Sequence, residues 1–222
     1  MPGTAVLIGI IVGLSGVVLV LAGAHLRDRR RLNKLLGEAA AARREAEEAK
    51  GHLALVQKKL EGQSRTDVVT GLPNRRDMLD RIEEERIRFE RNRKPFALVM
   101  ADLDRFKIIN DAHGHDSGDY LLKGCASMLR ASLRKQDRVC RWGTDEFLLL
   151  LPGTDYAGGR TILEMIRKRI AETSFAYKGK SLKTGLSLGL CIYRGGQSVD
   201  DAIREAGDAL EADKKKGRHP RA

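Results

Sequence analysis

The chain has 222 residues, and its 41 Lys and Arg against 30 Asp and Glu give a formal net charge of +11. A basic chain suits an anionic membrane surface, a polyphosphate or a nucleic acid, but aromatic residues make up only 5% and no RNA-recognition or zinc-finger pattern is present, so no nucleic-acid partner is predicted. The cysteines, Cys125, Cys140 and Cys191, are widely spaced and form no CxxC pair, which argues against zinc and indicates free thiols in a reducing compartment.

An uncharged segment opens the chain. Residues 5–26 carry no charged side chain and are nearly all apolar or glycine. A helix of this length can cross a hydrocarbon core of about 30 Å, so we predict a transmembrane helix at 5–26 after a short extracytoplasmic N-terminus at 1–4. The alternative is a cleaved signal peptide, since residues 22–24 read Ala-Gly-Ala, but no Lys or Arg precedes the run and the run is long for such a peptide.

Arginines follow the uncharged segment at once, at Arg27 and Arg29–Arg31. Because a basic flank is retained on the cytoplasmic side, we predict a single-pass protein of the inner (cytoplasmic) membrane whose catalytic domain lies in the cytoplasm. Gly9 and Gly13 have GxxxG spacing, through which two spans can pair, although such spacing is common by chance in glycine-rich spans.

Residues 27–64 have the period of a coiled coil. Apolar residues recur at alternating steps of three and four: Leu32, Leu35, Ala39, Ala42, Ala46, Ala49, Leu53, Val56 and Leu60. The positions between them are rich in Arg, Glu and Lys, as a solvated helix surface requires. The segment is therefore predicted to be a signalling helix that forms a homodimer, and the alternative is a single amphipathic helix packed on the following domain.

The remaining residues, 65–222, have the mixed pattern of an α/β domain. Strands are predicted near 96–102, 147–151 and 184–193, and helices near 75–93, 118–133, 156–173 and 199–215. This mixture implies helices covering a sheet, and the pattern alone predicts neither strand order nor strand direction.

Carboxylates stand at the ends of two predicted strands. Asp102 and Asp104 end the first, and strand alternation places them on one face. Asp145 and Glu146 precede the second, after a turn beginning at Gly143. Hard oxygen ligands of this kind hold Mg²⁺ against phosphate oxygens, but acids at strand ends are also ordinary solvated loop residues.

Four separated segments resemble the GGDEF diguanylate cyclase family. They are DVVTGLPNRR at 67–76, DLDRFKIINDAHGHDSGDYLL at 102–122, RWGTDEF at 141–147 and KKKGRH at 214–219. The resemblance implies a fold like the palm of nucleotidyl cyclases and polymerases, with a central, mainly antiparallel sheet wrapped by helices. It also implies that two facing domains join two GTP into cyclic di-GMP with Mg²⁺ (or Mn²⁺), so a single domain holds half of a site.

The resemblance also implies roles for individual residues. Asp102, the Leu103 carbonyl and Asp145 would hold the metal, and Asp145 and Glu146 would serve catalysis. Asn110 and Asp119 would bind the guanine edge, which would favour GTP over ATP. Lys214 and Arg218 would hold phosphates as cations, and Phe106 and Lys107 would lie near the triphosphate. The full set expected to bind substrate is Phe106, Lys107, Asn110, Asp119, Gly143, Thr144, Lys214 and Arg218. Solvated or core positions are the ordinary alternatives for these residues, above all for Lys214 and Phe106.

A second site is implied by Arg134 and Asp137. They form an RxxD motif that ends five residues before the Gly143 turn, where this family binds cyclic di-GMP as an inhibitor. Arginine can pair with phosphate or guanine, and aspartate can accept from guanine N–H groups. RxxD also occurs by chance in arginine-rich stretches.

Thr144 departs from the family pattern, because it replaces the second glycine of the signature loop. A β-branched residue would be strained by about 1–3 kcal/mol if the loop required positive φ there, and would be harmless if φ were negative and the side chain faced solvent. The hypothesis is a working or slow cyclase. The alternatives are a degenerate domain that binds cyclic di-GMP without making it, and a domain that binds GTP without turnover.

Overall fold

The computed structural model describes residues 43–51 and 64–216. The chain divides into two units at Gln63/Ser64, and each is described by itself. In the first, residues 43–51 are helical and exposed. The predicted transmembrane helix at 5–26 and most of the predicted coiled coil at 27–64 lie outside the described residues. Within the described ranges, no helix has the length and apolar character needed to cross a membrane.

The second unit alternates helices and strands. In chain order they are α1 (Arg75–Asn92), β1 (Phe96–Leu103), α2 (Phe106–His113), α3 (His115–Ser132), β2 (Arg138–Arg141), β3 (Glu146–Pro152), α4 (Tyr156–Glu172), β4 (Phe175–Tyr177), β5 (Lys180–Leu182), β6 (Leu186–Tyr193) and α5 (Val199–Lys215). The long predicted helices and the three predicted strands correspond to elements of this list. The prediction missed α2, β2 and the β4–β5 hairpin, and α3 begins at His115, earlier than predicted.

The main sheet has four strands in the order β2-β3-β1-β6, and every pair in it is antiparallel. This confirms the expected antiparallel palm-like sheet. Strand β1 lies in the interior of the sheet, and all of its residues are buried except the half-buried Asp102. Its register places Asp102 opposite Glu146 of β3 and Ser187 of β6.

Helices cover both faces of the sheet. Alternate residues of β1 point to opposite faces. Val99 belongs to a core cluster that includes residues of α3 and α4, whereas Leu98 belongs to one that includes residues of α1 and α5. The three cysteines are buried and free, as predicted. Burial raises the pKa of the Cys125 and Cys140 thiols to about 12, so neither forms a reactive thiolate at neutral pH.

Of the five helices of the second unit, three begin at side-chain caps, whereas α2 and α3 do not. Asn74, Asp155 and Ser198 each accept a hydrogen bond from a backbone N–H in the first turn of α1, α4 and α5. Helix α2 instead follows Arg105, which has left-handed backbone angles and makes no side-chain cap. The first N–H groups of α2, which follows the Asp102 end of β1, are therefore left without a side-chain cap.

Candidate active site

The strand register brings the predicted acidic residues together. Asp102 and Glu146 are opposite each other across β1 and β3, and the Leu103 N–H donates to the Asp145 carbonyl oxygen at 3.1 Å. The charges of Asp145 and Glu146 both act on the Asp102 carboxyl group. The predicted metal ligands and catalytic acids thus lie at one end of the sheet.

Asp102 is a carboxyl group with an unfavourable environment for its charge. Burial is the main cause that raises its pKa to about 6, and the charges of Asp145 and Glu146 raise it further, while the hydrogen bond and charge of Lys214 act in the opposite direction. Three carboxylates therefore lie close together, and the Lys214 ammonium group is paired with one of them, Asp102.

Lys214 reaches this site from the last turn of α5. Its Nζ lies 3.1 Å from Asp102 Oδ2 and 3.1 Å from Glu211 Oε1, and its side chain is one-third exposed. Burial alone would lower the pKa of Lys214, but hydrogen bonds with Asp102 and Glu211 raise it overall. The sequence predicted Lys214 as a phosphate contact, whereas the structure places it on a carboxylate. The predicted phosphate contact Arg218 lies outside the described residues.

The acidic group fits a divalent cation. Two carboxylates with an excess of negative charge are the hard ligands that Mg²⁺ takes, and Mg²⁺ usually completes its shell with waters and substrate phosphates. In residues 43–51 and 64–216, no three His, Cys, Asp or Glu side chains already form a metal-binding group. Asp102 and Asp145 are two carboxylates, and waters and substrate phosphates usually supply the other ligands of a Mg²⁺ ion held in this way.

The signature loop is a tight turn closed on Glu146. The Trp142 and Gly143 N–H groups donate to the Glu146 carbonyl oxygen at 2.8 and 3.2 Å. A Cβ at Gly143 would lie 2.5 Å from Glu146 Oε2, the flexible end of that side chain, so a larger residue there would displace the Glu146 carboxylate. Thr144 is exposed and is not among the residues with positive φ. Thr144 therefore avoids the strain that a β-branched residue would have at positive φ, and its side chain is exposed.

Replacing Thr144 with glycine is expected to lower the free energy of unfolding by up to about 1 kcal/mol, because glycine gains freedom in the unfolded chain and relieves no strain here. Product formation should change little. Urea unfolding of both proteins measures this directly. A clear gain in stability would mean that Thr144 is strained after all.

Arg141 and Asp67 form a clamp that holds the signature loop, and neither residue was predicted to belong to the site. Arg141 Nη1 lies 3.2 and 3.3 Å from the Asp67 oxygens, Nη2 donates to the Thr144 carbonyl at 2.6 Å, and Nε donates to the Gly143 carbonyl at 3.2 Å. Burial would raise the pKa of Asp67, but hydrogen bonds from Thr70 and the charge of Arg141 outweigh it and lower it. Both residues open quoted motifs, but only the fold shows that they pair.

The predicted base-binding residues lie on α2 and α3. Asn110 is half-buried, and a Cβ at Gly118 would overlap its Oδ1, so glycine leaves room for this amide. Asn110 Oδ1 is buried and has no hydrogen-bond partner among the described residues. Asp119 is exposed one residue after Gly118. The structure thus places the predicted base-binding amide and carboxylate on adjoining helices, α2 and α3.

Phe106 and Lys107 occupy different environments. Phe106 is 6% exposed and packs in the core, so its side chain is not available to a triphosphate. Phe106 is therefore a core side chain, which was the alternative considered for it. Its backbone amide lies in the uncapped first turn of α2, where it could donate to a phosphate. Lys107 is exposed on the same turn.

The RxxD motif borders an open cleft of about 530 Å³. Its basic lining comprises Arg130, Arg134, Lys135 and Arg138. Asp137 is buried, and its Oδ2 accepts from the Arg134 N–H at 2.9 Å, which closes the turn. Asp137 Oδ1 has no partner within the described part of the chain. A cleft with four cations and one unused carboxylate oxygen suits an anionic, base-bearing ligand.

Comparisons with known proteins agree with this geometry. Residues 64–220 match the family described as "Diguanylate cyclase, GGDEF domain". The chain is 40% identical over 153 residues to the diguanylate cyclase DgcP of Pseudomonas aeruginosa, which is 69% of this chain and 23% of that protein. The chain thus spans less than a quarter of that relative's length.

Solved structures give the same result. The diguanylate cyclase SiaD of Pseudomonas aeruginosa, in complex with its activator SiaC, matches with a TM-score of 0.67 and 32% identity over 96% of this chain and 83% of that one. The coiled coil and GGDEF domain of DgcB from Caulobacter crescentus, in complex with c-di-GMP, matches with a TM-score of 0.66 and 26% identity over 83% and 96%. On these matches, the chain belongs to the GGDEF family.

Proposed function

We propose that the protein is a diguanylate cyclase that joins two GTP into cyclic di-GMP and releases two pyrophosphates. The observation that carries the proposal is the meeting of Asp102, Asp145 and Glu146 at the end of β1, beside Lys214. An acidic cluster beside a lysine ammonium group, next to an uncapped helix N-terminus, is what a metal-bound triphosphate needs.

Each residue has a defined part in this reaction. Asn110 and Asp119 orient the guanine, and the first amides of α2 with Lys214 hold phosphate oxygens. Asp102, the Leu103 carbonyl and Asp145 would hold Mg²⁺ (or Mn²⁺), which neutralises charge on the reacting phosphate. The 3′-oxygen of one GTP bonds to the α-phosphorus of the other as the bond to pyrophosphate breaks. The carboxylate of Asp145, assisted by Glu146, takes up the proton of the 3′-hydroxyl.

The proposal includes membrane anchoring and dimerisation. Residues 5–26 form a single span of the inner membrane, residues 27–64 form a coiled coil, and residues 65–222 face the cytoplasm. The uncharged run, the arginines after it and the exposed helix at 43–51 support this arrangement. Because each domain holds one GTP, a coiled-coil homodimer brings two half-sites within reach of each other.

Product inhibition is the second part of the proposal. Cyclic di-GMP carries two phosphates and two guanines. Arg134 is exposed at the cleft for phosphate or guanine pairing, and Asp137 lines the same cleft with a carboxylate that would accept from guanine N–H groups. Arg130 and Arg138 on the same cleft add positive charge.

The test compares Asp145→Ala with Arg134→Ala in the full chain purified in detergent. With GTP and Mg²⁺, Asp145→Ala is expected to abolish product formation. Arg134→Ala should retain the initial rate but lose the slowing that accumulated cyclic di-GMP causes. Chromatography of the nucleotides measures both, and an Asp145→Ala variant with the wild-type rate would contradict the proposed catalytic site.

The second candidate is a receptor that binds cyclic di-GMP without making it. The cleft at Arg134 and Asp137 favours it, because that cleft is complete without the signature loop. A receptor would bind cyclic di-GMP by calorimetry, lose binding with Arg134→Ala, and turn over no GTP. The exposed, unstrained position of Thr144 favours the cyclase.

A further inference from the structure

We propose that the Lys214 ammonium group occupies the position of the divalent cation beside Asp102. It neutralises the Asp102 carboxylate while the metal site is empty, and it must leave that carboxylate when the metal binds. This role rests on the proposed function, because it deepens the metal-nucleotide site given above. It predicts opposite effects of one substitution on the affinities for metal and for nucleotide.

The Lys214 ammonium group lies where a divalent cation would bind Asp102. Lys214 Nζ is 3.1 Å from Asp102 Oδ2, a hydrogen-bonded ion pair in which the carboxylate is only 13% exposed. A divalent cation would bind to oxygens of this same carboxylate. An ammonium group and Mg²⁺ cannot both contact Asp102 without strong repulsion in a half-buried site. The metal therefore competes with Lys214.

The backbone of Lys214 is held in place while its side chain can change partner. The neighbouring Asp213 is buried, and its Oδ2 accepts from the Leu188 N–H at 3.1 Å and from Arg167 Nη2 at 2.7 Å. Leu188 lies opposite Ala101, the residue before Asp102. The end of α5 is thus fixed to β6 beside the metal site, and the long Lys214 side chain can turn from Asp102 towards a bound triphosphate.

The exchange favours metal and nucleotide arriving together. Metal alone would displace Lys214 from Asp102 and leave the ammonium facing a cation, with Glu211 as its remaining partner. A metal-bound triphosphate offers the displaced ammonium phosphate oxygens. The wild-type site should therefore bind bare metal weakly, and binding of metal should be coupled to binding of nucleotide.

The experiment titrates Mn²⁺ alone into the full chain, followed by electron paramagnetic resonance. Lys214→Met is expected to bind Mn²⁺ about threefold to tenfold more tightly than wild type, the range for removal of a partly exposed ion pair and its repulsion. The matched control is Lys215→Met, which makes the same charge change at the next residue, an exposed lysine on the same helix. It should show a much smaller gain.

Two further measurements test whether the change in Mn²⁺ affinity arises at Asp102. Adding Asp102→Asn to Lys214→Met should remove the gain, which excludes Mn²⁺ bound at the exposed Glu211. With Mg²⁺ present, Lys214→Met should weaken binding of a non-hydrolysable GTP analogue relative to Lys215→Met. Equal or weaker Mn²⁺ affinity in Lys214→Met than in Lys215→Met would overturn the proposal. No turnover is needed for the Mn²⁺ titration, so an inactive protein would refute the cyclase assignment and leave this test decisive.

Discussion

Asp102→Asn is expected to stabilise the metal-free fold at pH 7.5 by about 2 kcal/mol while reducing cyclase activity about a hundredfold or more. The gain arises because burial disfavours the ionised carboxylate, which raises its pKa from 3.8 to about 6. The loss arises because the amide cannot supply a charged oxygen to the metal. Such a result would show that the Asp102 carboxylate is needed for activity and that its charge destabilises the metal-free fold.

The sign of the pH dependence follows from the raised pKa. The folded protein binds the Asp102 proton more tightly than the unfolded chain, so the contribution of this group to stability falls as pH rises from about 4 through about 6. Urea unfolding with EDTA should therefore show the advantage of Asp102→Asn at pH 7.5 and little of it at pH 4.5. Asp208→Asn, at an exposed acid on α5, should change neither stability nor activity. An equal advantage at both pH values would show that burial of the charge is not its cause.

Gly189→Ala is expected to lower the free energy of unfolding by about 3 kcal/mol or more, through a clash between β6 and α5. A Cβ at Gly189 would overlap the Ala206 carbonyl oxygen and the Leu210 amide nitrogen, and would lie 2.8 Å from the Leu210 Cα. All three are backbone atoms, so no rotation of a side chain relieves the contact. Helix α5 would have to move away from the sheet and carry Lys214 with it.

Gly207→Ala is the matched control for this prediction. Gly207 lies on α5, has no positive φ, and has no atom outside its own helix within 4 Å of the position a Cβ would take. Alanine there should stabilise the fold by about 0.5–1 kcal/mol, because it favours the helix over the unfolded chain. Thermal or urea unfolding of the two variants should therefore differ in sign. Equal effects would show that α5 does not pack on Gly189 as described.

The parts of the fold that follow a strong periodic pattern could be predicted from the sequence. Helices α4 and α5 have side-chain caps at Asp155 and Ser198, and β1 and β3 are continuous apolar runs. The missed elements are short or lack such signals. Helix α2 spans 8 residues without a side-chain cap, and β2 has 4 residues. Tertiary contacts decide such segments, since local propensity is too weak to do so.

The candidate site, too, could be predicted only in part from the sequence. Residues of one motif, such as Asp102 and Leu103 or Asp145 and Glu146, could be assigned from their positions at strand ends. Contacts between motifs could not, because they depend on how the chain folds back. The pairing of Arg141 with Asp67 joins residues 74 apart, and the pairing of Lys214 with Asp102 joins a helix end to a strand end. The first contact fixes the signature loop, and the second gives a predicted phosphate contact a carboxylate partner.

The central claim is that the GTDEF loop supports catalysis. The most direct measurement is a time course of the full chain, stripped of bound cyclic di-GMP, with GTP and Mg²⁺, in which chromatography quantifies cyclic di-GMP and pyrophosphate. We expect cyclic di-GMP to accumulate, with two pyrophosphates released for each molecule formed. A confirmed dimer that binds cyclic di-GMP and forms neither product would contradict the account and identify the protein as a receptor.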